Sequence, residues 1–276
     1  MTVQTPTQTT RRGRRLAEGT GFVAVWIALG YLLPIDTDAY LLLGIPLAVA
    51  FQLLVRRRPL REVWMRDGDR RFRLDRAGLA LAVLLVVTPV LLMVDAVASG
   101  TWTMIAWAVA AIAGAFPAAW ALRSTGPVAT LRAALPTLLV GIPLLALIGG
   151  VPLFLSGRPI DPLAMLGHAA YWALLYLPVG FILEEVAFRG VLDAHVQRPG
   201  ERRGPGTALL VSVLWGLWHL PVSPPGQPIW LTAISLVVVS VLIGIPMSYA
   251  WRRTGSLAPS SLAHAVYNGI RNALQA

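Results

Sequence analysis

Two adjacent carboxylates, Glu184 and Glu185, stand four residues or so ahead of an arginine in Glu184-Glu185-Val-Ala-Phe-Arg189-Gly-Val-Leu-Asp193, at the end of a long apolar segment. A charge inside a membrane helix costs about 2.5–3.5 kcal/mol on insertion scales, so charges kept there need a partner or a task. On a helix Glu185, Arg189 and Asp193 share one face and can form an ion-pair ladder in the favourable Glu-before-Arg order. Glu184 falls about 100° around the axis, with no cation three or four residues on. Glu185 therefore reads as structural and Glu184 as free for acid–base work. Two later segments supply more polar groups. His219 closes Trp215-Gly-Leu-Trp-His219, where Trp215 lies one turn earlier and can pack on the imidazole, and His264 and Asn268 are again four apart. One carboxylate, two imidazoles and a carboxamide are the inventory for adding water to an amide carbonyl: a base, a second imidazole and donors for the oxyanion.

Each piece has a plainer role when taken alone. His219, beside Leu220-Pro221, can be an interfacial or core histidine, and Asn268 can be a hydrogen bond between helices. The joint occurrence on three separate segments points to chemistry, because spanning a membrane needs none of these groups. His168 and His195 have no partner at helical spacing and receive no assignment.

The elements that must position these residues follow from composition. With 56% hydrophobic and 13% charged residues, the chain is too apolar for a soluble domain of 276 residues. It reads as an integral, multi-pass membrane protein of all-α class, a polytopic bundle of eight or nine membrane helices. Apolar segments lie near 19–34, 38–55, 78–97, 102–122, 133–155, 164–188, 207–221, 229–250 and 258–274, against the roughly 17–25 residues that a crossing requires. Residues 1–18 are expected to be a disordered basic tail, and 19–276 a single membrane-embedded domain. The Ala-rich stretch 107–121 would let helices approach closely. The absence of cysteine excludes disulfides, thiolate zinc sites and cysteine nucleophiles.

The net charge of +10 does not imply nucleic acid, because every basic residue is Arg and most sit in short clusters between apolar runs. These clusters precede the first segment and recur at 56–76, at Arg123 and Arg132, at 198–203 and at Arg252 and Arg253. The intervening loops are neutral or acidic, an alternation that predicts a cytoplasmic N-terminus. The loop 56–76 mixes nine arginines with Leu60, Val63, Trp64 and Met65, and is expected to be solvated, with a short helix lying at the headgroups.

Taken in order, Glu184-Glu185-x-x-x-Arg189, an aromatic-x-x-x-His at Trp215 to His219, and His264-x-x-x-Asn268 resemble the three motifs of the CPBP family of intramembrane proteases. That family includes the type II CAAX prenyl endopeptidases and bacteriocin-processing or self-immunity proteins, and is also called Abi. The resemblance covers about 163–276, and Trp215 stands where the family usually has Phe. It implies that Glu184 is the catalytic carboxylate, that His219 helps it activate water, and that His264 and Asn268 stabilise the oxyanion. Glu185 and Arg189 would hold the first motif in shape. The family has been described both as metalloproteases and as glutamate-type proteases. A divalent metal such as zinc, held by Glu184, His219 and His264, therefore stays open beside a metal-free mechanism. The expected partners are a peptide or protein substrate at the membrane and the lipid bilayer, in the plasma membrane of a bacterium. Two other readings remain: a proton-coupled transporter using the same groups as a relay, and a catalytically silent scaffold or immunity protein.

Overall fold

Apolar runs in lipid must satisfy their own backbone groups, which helices do internally. The computed structural model describes residues 8–66, 71–197, 204–224 and 226–276, and within them these runs form α1 (Gln8–Leu32), α2 (Thr37–Val55, in three short pieces), α3 (Arg76–Ser99), α4 (Trp102–Thr125) and α5 (Pro127–Leu155, with a π turn). They continue as α6 (Pro162–Gly180), α7 (Val186–Asp193 running into Ala194–Val196), α8 (Pro205–Trp218), α9 (Ile229–Thr254) and α10 (Ala258–Gln275). Eight of the nine expected segments coincide with a helix. Among the described residues seven, α2 to α6 with α9 and with α8 continued through the turn to Val222, are long and apolar enough to cross a bilayer. The protein is an all-α polytopic membrane bundle.

Four expectations need correction. The segment 164–188 is not one helix: α6 stops at Gly180, and the chain turns through 181–183 before α7. Pro178 sits in the last turn of α6, and the carbonyl that the break frees on Phe181 accepts from Trp64 Nε1 at 2.7 Å. Next, Val186–Asp193 is wound as a π-helix, with the Ala194 N–H reaching back five residues to Arg189. The ladder therefore ends at Arg189, and Asp193 pairs instead with Arg252 of α9 at 2.8 Å.

The basic tail is the third correction. Residues 8–18 are the first turns of α1, where Arg14 pairs with Glu18 at 2.7 Å and Glu18 meets His195 at 2.9 Å. Residues 1–7 lie outside the described residues. Burial pushes His195 below the ordinary imidazole range, with Glu18 opposing that shift in part.

The fourth is the loop 56–76. Its short helix is present as the 3₁₀ turn Leu60–Val63, yet Val63 and Met65 are buried in the core rather than lying at headgroups. Gly190 is what admits the turn, since a Cβ there would stand 2.2 Å from the Val63 carbonyl oxygen. The loop is also stitched to the α9–α10 corner, where Arg66 N donates to Gly255 and Leu257 N to Trp64. Asp67, Asp69 and Arg70 lie outside the described residues.

The arginine clusters meet at one end of the bundle. Arg56 donates to the Gly190 carbonyl at 2.8 Å, Arg66 to that of Gln197, and Arg252 to that of Gly204 at 3.2 Å. Thr125 bonds Ser256 at 2.7 Å, and Arg123 pairs with Asp75 at 3.0 Å. At the other end Arg158 reaches the carbonyl of Ala276 at 3.2 Å. The alternation of basic and neutral loops is thus an alternation of ends; Arg198, Arg202 and Arg203 lie outside the described residues. On α4, buried Ala108, Ala111, Ala115 and Ala118 form the small face foreseen for close helix approach.

Candidate active site

Glu184 sits just past the break, where the chain leaves α6 and winds into α7. Its Oε2 is the atom on which the other motifs converge. Trp215 Nε1 donates to it at 3.0 Å, Nε2 of His219 lies 3.8 Å away and Nε2 of His264 3.9 Å away. Glu184 and His219 keep 19% and 28% of their side chains exposed, whereas Glu185 and Arg189 keep none. Adjacent carboxylates are thereby separated into one that solvent or substrate can reach and one that is sealed.

The two imidazoles are each anchored through the other nitrogen. His219 Nδ1 lies 2.8 Å from the Trp215 carbonyl oxygen, which can only accept. That nitrogen therefore carries the proton, and Nε2 turns a lone pair toward Glu184. His264 Nδ1 lies 3.1 Å from Glu185 Oε1, and Glu185 Oε2 is 3.6 Å from Arg189 Nε. Arg189 in turn stacks over the Trp215 ring at 4.5 Å, with the His264 ring edge-on to the same indole at 5.3 Å.

Asn268 follows His264 by one turn on the same face of α10. Both line a small cavity with Glu184, Tyr176, Val179 and Gly180, and among the described residues the buried Asn268 Oδ1 has no hydrogen-bond partner. The depth of this face depends on Gly269, where a Cβ would stand 2.5 Å from the carbonyl of Ala169 on α6. His219 lies at the end of a 14-residue helix, about 21 Å of helix length from the arginine-rich end.

The fold thus brings together all the residues singled out for the site: Glu184, His219, His264 and Asn268, with Glu185, Arg189 and Trp215 around them. His168 lies apart from them on α6 beside Trp172, and His195 pairs with Glu18. Sequence reasoning missed the brace from the N-terminal half. Tyr40 of α2 donates its hydroxyl to the Trp218 carbonyl at 2.8 Å, and Trp26 of α1 donates to the Tyr40 carbonyl at 3.1 Å. The Trp218 ring then meets that of His219 edge-on at 4.8 Å. The aromatic residues were visible in the apolar runs, but no local period pairs residue 40 with residue 218.

Among the described residues, no group of three or more His, Cys, Asp or Glu side chains is drawn together as a ready-made metal cage. The donor chemistry of Glu184, His219 and His264 nevertheless suits a divalent ion. Each imidazole presents a lone-pair nitrogen and donates its other N–H to a carbonyl or carboxylate, the usual arrangement behind metal-bound histidine.

Residues 166–270 match the family model described as type II CAAX prenyl endopeptidase Rce1-like, a stretch that runs from α6 into α10 and holds every residue of the site. The match covers less than half of the chain and is in keeping with the CPBP resemblance of the three motifs. Comparison with curated proteins and with solved structures gives no match.

Proposed function

We propose that this protein is an intramembrane endopeptidase that hydrolyses a peptide bond near the C-terminus of a CAAX-type, membrane-associated substrate, with the arginine-rich end facing the cytoplasm. One observation carries the reading. Glu184 Oε2 and His219 Nε2 are two acceptors facing one another at 3.8 Å, too long for a direct hydrogen bond, with His264 Nε2 3.9 Å from the same carboxylate oxygen. Acceptors arranged in this way call for a donor between them, and a water molecule is the donor that hydrolysis consumes.

In this account Glu184 takes a proton from that water as the oxygen attacks the scissile carbonyl, then returns it to the leaving amine. His219, fixed through Nδ1, accepts the second water proton as a hydrogen bond and aims the lone pair at the carbonyl. His264, backed by Glu185, donates from Nε2 when protonated, and the Asn268 amide donates beside it, so that charge developing on the carbonyl oxygen meets two donors. Such a donor is worth about 10²–10³ in rate and a placed base about 10²–10⁴. A divalent metal such as zinc would be held by Glu184, His219 and His264, and when bound would supply Lewis acidity to the water and the carbonyl.

The test is cleavage of an internally quenched farnesylated CAAX peptide by the purified protein in nanodiscs. Glu184→Gln should remove cleavage while leaving the thermal transition in place. Full activity in that variant would remove the assignment of Glu184.

A further inference from the structure

Trp215 touches all three motifs at once. Its indole N–H donates to Glu184 Oε2 at 3.0 Å, its ring carries the Arg189 guanidinium at 4.5 Å, and the rings of His219 and His264 meet it edge-on at 5.8 and 5.3 Å. Its own carbonyl receives the Nδ1–H of His219. A phenylalanine could reproduce the ring contacts and the carbonyl, but it has no N–H. The bond to Glu184 is therefore a feature that this chain adds at a position where an aromatic ring alone would satisfy the packing.

We propose that Trp215 is a positioning residue for the reaction, its indole N–H holding the Glu184 carboxylate between the two imidazoles. The inference rests on the hydrolytic reading of the site. It adds to that reading a second function for the aromatic residue, which packs the imidazoles and also orients the base. Glu184 is the first helical residue after the break at 181–183, so its side chain has no preceding helical turn to lie against, as a mid-helix side chain would. Among the described contacts of Glu184, the indole donor is the one at hydrogen-bond distance, the imidazoles standing at 3.8 and 3.9 Å. Without it the carboxylate can rotate away from the water that it must deprotonate. Small misplacements of a base are costly because productive geometry is narrow.

The experiment compares wild type with Trp215→Phe, and with a protein carrying benzothienylalanine site-specifically at 215, an isostere with sulfur in place of N–H. All are full-length, in nanodiscs, acting on the farnesylated CAAX peptide. Loss of one hydrogen bond to a charged group should lower kcat about 10- to 100-fold in both, with KM changing by less than about twofold. Wild-type kcat in the isostere would overturn the proposal, leaving Trp215 a packing residue. Should Trp215→Phe fail to fold, the isostere decides alone. A second readout needs no turnover: the ¹⁵N–¹H resonance of the Trp215 indole in wild type and in Glu184→Ala. A shift between the two supports the bond, and coincident resonances overturn it. Should Glu184→Gln cleave normally, the hydrolytic role of Glu184 fails, while the resonance still reports on the bond.

Discussion

Replacing Arg252 by Met tests whether the arginine-rich end of the bundle is held by a buried charge pair. Arg252 Nε lies 2.8 Å from Asp193 Oδ1, and the two side chains are 1% and 0% exposed. Removing the guanidinium would strand Asp193 in a site that water does not reach, and a stranded partner of a buried pair typically costs about 3–5 kcal/mol. Against a typical total stability of roughly 5–15 kcal/mol, that is a large fraction. Replacing both members, as Asp193→Leu with Arg252→Met, removes the stranded charge and should recover most of the loss. The assay is equilibrium unfolding of the purified protein in mixed micelles, run as a double-mutant cycle. The reasoning is refuted if Arg252→Met unfolds within about 0.5 kcal/mol of wild type, or if the double variant loses the sum of the two single losses.

Trp64→Phe should leave the Phe181 carbonyl without its donor where α6 breaks, lowering stability by about 1–3 kcal/mol in the same unfolding assay. Gly190→Ala sets a methyl 2.2 Å from the Val63 carbonyl oxygen, so backbone must move; about 1–3 kcal/mol should be lost, with the 60–66 turn becoming more susceptible to limited proteolysis. At the solvent-exposed end, the Arg123 guanidinium, together with the Gly78 N–H, holds Asp75 below the usual carboxylate range. A carboxylate lowered in the folded state stabilises above its unfolded value and loses that contribution as pH falls through the folded one. The Tm of Asp75→Asn should therefore lie below that of wild type at neutral pH, and the two should converge in acid; a gap that persists unchanged there would contradict the pairing.

Local spacing carried the site a long way. Residues four apart on a helix share a face, and that rule alone relates His264 to Asn268 and Glu185 to Arg189. The apolar runs located the helices because lipid leaves the backbone few alternatives. Asp193 differs from the expected ladder because its partner, Arg252, comes from distant chain, which no local period encodes. The same holds for Trp64 and Tyr40, whose partners Phe181 and Trp218 lie more than a hundred residues away. The basic tail was misjudged for a related reason: a polar segment gains helical order once Glu18 finds His195.

The central claim is that Glu184, between two imidazoles, activates a water that becomes part of the product. Incubating the farnesylated CAAX peptide with wild-type protein in H₂¹⁸O should give one ¹⁸O in the newly formed carboxyl terminus by mass spectrometry, and no labelled product with Glu184→Gln. Labelled product appearing at equal rates with the two proteins, or none with wild type, would contradict the account.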